Sequence, residues 1–245
     1  MSVFKHKLGL KRSPKDATDV KLCIPPNKFL PLKSEIPIIR CIHSQGDLNS
    51  YSSNVICNQI MSLKSWNDNN YPSRLFQYYI SRSISGNEAE AEDEGCSYRE
   101  SYQGLAKFGF TDELFWSYDT SKVFEKPPQE AYDNANKTFV NKYKSVLQCQ
   151  YALKFAICEG YPIAFGSMLY ENFENMDENG VIPLPSGNMV GGHAMLIIGY
   201  QDDTKLFKVL NSWSANWGLG GFCFMRYEHV LNSEFCFDFF VLDKH

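Results

Sequence analysis

The 245-residue chain predicts an α+β protein, with helices in its first two thirds and antiparallel strands at its end. Three observations carry this. From Tyr51 to Trp66 the apolar residues Ile56, Ile60 and Leu63 recur at i, i+4 and i+7, the spacing of a helix with one buried face. The run Gly191–Tyr200 is apolar and bounded by glycines, which marks a buried strand. Lys205–Leu210 alternates apolar and polar residues, the period of a second strand that ends at Asn211.

The elements follow in order. Residues 1–37 are basic, with Lys5, Lys7, Lys11, Arg12 and Lys15, and then punctuated by Pro25, Pro26, Pro31 and Pro37. That pattern predicts an extended arm over a surface and not a helix. The arm is read as solvated, with contact to an acidic partner as the alternative. Ser50 is an N-cap candidate for the helix that starts at Tyr51. Pro72–Ile80 predicts a packed helix with proline in its first turn. Asn87–Gly95 is acidic and small, a solvated loop or a docking patch for a basic partner. Pro127 and Pro128 open a polar helix expected to run through Asn141. Tyr151–Cys158 is a short amphipathic helix stopped at Gly160. Tyr161–Gly166 reads as a strand, Glu178–Gly180 as a turn and Pro183–Pro185 as an extended edge, with strands dominating to Leu242. There is no internal repeat and no flexible linker.

Composition narrows the function classes. A net charge of -4 argues against nucleic acid and anionic membranes as partners. No apolar run approaches membrane-spanning length. Met1–Lys7 lacks the apolar core of a signal peptide, so the protein is expected to be intracellular and not secreted. Eight cysteines without a secretory signal read as free thiols in a reducing compartment. Cys57, Cys158, Cys223 and Cys236 sit in apolar segments, where cysteine acts as a small hydrophobe. No paired Cys/His spacing suggests zinc, and neither a metal nor another cofactor is expected.

The chemistry gathers at His193 and Asn211. A short hairpin between the two late strands can bring them side by side, the amide oxygen fixing the imidazole tautomer and Trp213 shielding the pair. This is the base-plus-orienter half of a nucleophilic site. A histidine at the mouth of a strand also serves as a plain structural hydrogen-bonder. The wider context, G-G-H-A-M-L-I-I-G-Y, a lysine-bearing strand, N-S-W and then W-G-x-G-G-F, resembles the C-terminal half of the papain-like cysteine peptidases. The resemblance makes His193 the general base and Asn211 its orienter. Ser214 departs from the glycine the family usually has after the tryptophan.

The segment from Ile38 to Tyr51 resembles the family's approach to its catalytic helix. Gln45 then matches the oxyanion-hole glutamine, and the nucleophile position six residues later holds Tyr51. The 142 residues between Tyr51 and His193 fall within the roughly 130–150 of papain-type enzymes. A cysteine at a helix N-terminus beside an imidazole becomes a thiolate near neutral pH. A phenol, with a pKa near ~10 and its oxygen across a rigid ring, does not take that place. Cys57 lies about 9 Å further along the helix on another face, and Cys41 precedes the glutamine, so neither substitutes. Ser97–Ser101 resembles the family's S-x-R-D-G segment and opens a helix to about Lys107; the missing aspartate and glycine bear on local packing alone.

The resemblance, which covers residues from about 30 onward, implies a papain-like two-lobe fold: an arm (1–42) joining the barrel lobe, a helical lobe (43–148) and an antiparallel β-barrel lobe (149–245), with a cleft between. It also implies a remnant site of Gln45, Tyr51, His193 and Asn211. Too little chain precedes it for a long inhibitory propeptide, so no zymogen step is implied. The leading expectation is a catalytically dead peptidase homologue serving as a binding or architectural protein, with protein partners, assembly into a larger complex and a virion or capsid as one setting. The alternative is an active hydrolase of peptide or acyl bonds that uses His193 with water or Tyr51. A third reading is a recent loss that Tyr51→Cys restores.

Overall fold

The computed structural model describes residues 6–37, 42–63, 71–86, 89–90, 92–138 and 143–243. Cys41, and the end of the helix expected to reach Trp66, lie outside them. Among the described residues seven strands make one antiparallel sheet: β1 (Lys33–Glu35), β2 (Tyr143–Ser145), β3 (Ile163–Tyr170), β4 (Met189–Gln201), β5 (Leu206–Leu210), β6 (Phe222–Arg226) and β7 (Cys236–Leu242). Their order is β2-β7-β3-β4-β5-β6, with β1 paired to the end of β4. β2 falls within the 43–148 span yet pairs with β7, Tyr143 opposite Leu242.

β4 is the spine because its residues can be buried on both faces. Ala194, Leu196 and Ile198 pack on one side with α1 (Tyr51–Leu63) and α3 (Tyr98–Phe108). Met195 and Ile197 pack on the other with α5 (Gln150–Cys158). The two-residue period of a strand makes this division. α1 is buried nearly all round, from Tyr51 to Ile60. Complete burial of Ile56 and Ile60 stabilises this packing by roughly 1.5–3 kcal/mol each. Buried polar groups are tied in: the Gln59 amide donates to the carbonyls of Pro162 and Phe240 and accepts from the Tyr102 hydroxyl, linking α1 to the sheet and α3. Pairing of this kind keeps a buried amide from costing stability.

Local signals set the helix ends, with some corrections. α2 (Arg74–Ser85) is capped by Ser73, whose hydroxyl accepts from the Phe76 N–H, so Pro72 precedes the cap and does not open the first turn. Ser97 and Glu100 form a reciprocal capping box at α3. The Ser50 hydroxyl turns from the helix to Tyr118 and the Asn54 side chain, while its carbonyl accepts the first helical N–H from Asn54. The helix expected through Asn141 is only α4 (Gln129–Asp133). It stops because Asn136 exchanges backbone bonds with Phe110; 139–142 lie outside the described residues. A further short helix, α6 (Tyr227–Leu231), interrupts the late strands. Among the described residues no helix is long and apolar enough to cross a membrane.

Candidate functional site

The β4–β5 hairpin sets His193 and Asn211 together. Imidazole Nε2 lies 2.8 Å from the Asn211 Oδ1. That oxygen also accepts from the Ser212 N–H at 2.7 Å, which fixes the amide orientation and puts the imidazole proton on Nε2. Nδ1 is therefore the lone-pair nitrogen, and it has no hydrogen-bond partner among the described residues. Trp213 covers the ring at a centroid distance of 4.8 Å. His193 is fully buried, and burial lowers its pKa to about 4 despite the opposing Asn211 hydrogen bond. The imidazole is neutral at pH 7.

Gln45 is held from both sides. Its backbone N–H donates to the Ser212 carbonyl, and its Oε1 accepts from the Ser212 hydroxyl at 2.8 Å. Its carbonyl accepts from the Tyr118 hydroxyl at 2.8 Å. The amide NH2 is spent on the carbonyls of Leu48 at 3.0 Å and Lys7 at 3.3 Å. The donor assigned by resemblance to a developing oxyanion thus already faces a carbonyl of the arm. Ser214 sits beside this loop with a φ of 71°, a left-handed conformation that favours the glycine it replaces.

Tyr51 opens α1 and meets His193 edge-on, with ring centroids 6.1 Å apart and planes at 74°. Its phenol oxygen has no hydrogen-bond partner among the described residues. That oxygen lies against Gly95, where an added methyl would come within 2.0 Å of it. Burial raises the phenol pKa well above its ordinary value, so it stays protonated. Burial pushes the Cys57 and Cys96 thiols up, so neither is a ready thiolate. Among the described residues all seven cysteines are free, and no three His, Cys, Asp or Glu side chains gather as a metal site.

Gln45, Tyr51, His193 and Asn211 thus converge between α1 and the β4–β5 hairpin. Sequence reasoning missed Ser212 as the anchor of Gln45 and Gly192 and Gly95 as backbone made room for neighbours. It also treated the arm and the acidic loop separately. Their opposite charges were a signal, since Lys7 pairs with Asp93 at 2.7 Å and Lys11 approaches Glu94 at 3.8 Å. The two lysines of the arm remain 51% and 73% exposed while they pair with their own chain.

Helices on one side, an antiparallel sheet on the other and a His–Asn pair at their junction define a papain-like fold. The chain belongs to the papain family of cysteine proteases, whose sequence model matches residues 34–236. It is 33% identical over 215 residues to an uncharacterized peptidase C1-like protein of Acanthamoeba polyphaga mimivirus, covering 82% of this chain and 68% of that one. It is 27% identical over 196 residues to a cathepsin B-like cysteine proteinase of Caenorhabditis elegans, covering 74% of this chain and 57% of that one. The structure is similar to xylellain, a cysteine protease from Xylella fastidiosa, with a TM-score of 0.88 at 29% identity over 98% of this chain and 96% of that one.

Proposed function

We propose that this chain is a catalytically inactive papain-family protein, retained for binding or assembly. The observation that supports this is the Tyr51–His193 contact. Attack on a carbonyl needs a nucleophile on the lone-pair nitrogen of the base. At that nitrogen there is no partner among the described residues, and the phenol oxygen lies against Gly95 with its proton retained by burial. The neutral imidazole then serves as a buried hydrogen-bonding residue with Asn211. The architectural version, a component of a virion or capsid, is supported only by the likeness to a mimivirus protein.

The test is covalent. Full-length protein incubated with an epoxide-type thiol-peptidase probe should carry no adduct in the cleft, by intact mass and peptide mapping. A cleft adduct on the native sequence removes the reading. Turnover of peptide or acyl reporters that vanishes in His193→Ala would establish a hydrolase instead.

A further inference from the structure

A cavity of about 730 Å³ opens at the far end of β4 from His193. At the rise of a strand, ~3.3 Å per residue, that is roughly 25 Å from the imidazole. Its volume is that of small-molecule sites. The walls are the turn at 202–205 between β4 and β5, the short α6 with Arg226 just before it, and Gln150 at the start of α5. These parts are tied together. The Tyr227 N–H donates to the Lys205 carbonyl at 2.9 Å, and Arg226 stands opposite Leu206 in the β5–β6 ladder. Asp202 makes the floor: one carboxylate oxygen accepts from the Tyr227 hydroxyl at 2.9 Å and the other from the Lys154 ammonium. The floor is thus set before a ligand arrives, which lowers the ordering cost of binding.

Lys154 neutralises Asp202, so the charge left to a ligand is that of Lys205, Arg226 and Glu228. None of the three has an ion-pair partner among the described residues. Arg226 is half-buried and donates to the Ile182 carbonyl at 3.3 Å. Lys205 holds a φ of 55°, a left-handed conformation that glycine takes at less cost. What the lysine adds there is an ammonium on the rim of the cavity. Leu231 contributes an apolar side chain, and Thr204 and Gln150 contribute uncharged polar ones. We propose that this cavity binds a zwitterionic amino acid or short peptide, its carboxylate between Lys205 and Arg226, its ammonium at Glu228 and its apolar side chain on Leu231. A simple anion fits less well, because Glu228 repels it. The site shares no residue with Gln45, Tyr51, His193 and Asn211, so it stands whether or not the cleft is catalytic.

Amide proton–nitrogen spectra of the full-length native chain, titrated with leucyl-leucine, test this. The amides of Thr204, Lys205 and Glu228 should shift and saturate, while those of Tyr51 and His193 stay in place. N-acetyl-leucyl-leucine and leucyl-leucinamide each lack one charge and should bind about tenfold more weakly. Glu228→Gln should weaken leucyl-leucine by about the same factor and leave the acetylated peptide unchanged. Lys205→Gln should weaken leucyl-leucine and leave the amidated peptide unchanged. Four results would overturn the assignment: no saturable shift around the cavity, equal affinity for the three peptides, inorganic phosphate binding as tightly as leucyl-leucine, or shifts confined to the His193 cleft. Lys205 and Glu228 are exposed, so both variants should keep the native spectrum elsewhere. Should either not fold, the three peptides on the native chain decide.

Discussion

The His193 ring faces another aromatic ring, that of Tyr51, at 6.1 Å between centroids and 74° between planes. The contact leaves one polar atom on each side, His193 Nδ1 and the Tyr51 hydroxyl, without a hydrogen-bond partner among the described residues. Buried polar atoms of this kind destabilise a fold by about 1–3 kcal/mol each.

Removing the phenol oxygen should therefore help. Tyr51→Phe is expected to raise stability by about 1–2 kcal/mol, because the ring stays and the unsatisfied hydroxyl goes. Urea unfolding measures this; a loss of stability would reveal a partner for that oxygen.

Restoring the thiol by itself is expected to leave the chain inert. In full-length Tyr51→Cys the Lys7 carbonyl still faces the Gln45 amide and Leu10 still fills its pocket. Loss of the buried ring also destabilises by up to about 3–5 kcal/mol. Epoxide labelling should be absent in Tyr51→Cys and appear when Leu10→Asp is added. Rapid labelling of the single variant would show that the arm is no obstacle.

Acid should weaken the fold through its histidines. Burial is the main cause that lowers His43 to about 3 and both His193 and His229 to about 4, against an ordinary 6.5. Below pH 6.5 the unfolded chain takes up protons that the folded chain refuses, so this contribution is full above pH 6.5 and declines as pH falls toward 4. Each tenfold difference in proton affinity between the two states is worth about 1.4 kcal/mol, which makes the loss a few kcal/mol for each histidine. Asp238, whose carboxyl is raised mainly by burial, acts in the opposite sense at the acidic end. Urea midpoints from pH 7.5 to 4.5 should fall steadily, and a flat profile would contradict the buried neutral state. His229→Leu should reduce the slope.

Arg99 anchors the arm beyond the cleft. It donates to both carboxylate oxygens of Asp19, at 2.6 and 2.7 Å, from a side chain that is 11% exposed. Removing one partner of such a pair strands the other, and Arg99→Ala should destabilise by about 3 kcal/mol. Arg99→Lys should recover only part, since an ammonium cannot make the two parallel bonds. Full recovery in the lysine variant would show that charge alone matters.

Ser214 offers a stabilising change. Its φ of 71° suits glycine, and Ser214→Gly should gain about 0.5–1 kcal/mol, the relief of left-handed strain exceeding the added freedom of the unfolded chain. A thermal-melting comparison checks it, and a fall in melting temperature would refute the strain.

Much of this molecule was legible in order of residues alone. Periodicity marked α1, β4 and β5, because the periods 3.6 and 2 follow from backbone geometry and not from context. The resemblance to the papain-like peptidases singled out Gln45, Tyr51, His193 and Asn211, since a site carried on regular elements keeps its intervals. The length of α4 was misjudged because a polar run has no burial pattern to stop it, and the stop came from Phe110, distant in sequence. What only the folded chain decided is the content of the cleft. Lys7 and Asp93 are 86 residues apart, and nothing local couples a basic arm to an acidic loop until the sheet and α1 set them face to face. Gly192 likewise reads as one more strand glycine until the Leu10 carbonyl is seen where its side chain would be. Local rules act over a few residues; the meeting of two extended segments depends on everything that folds between them.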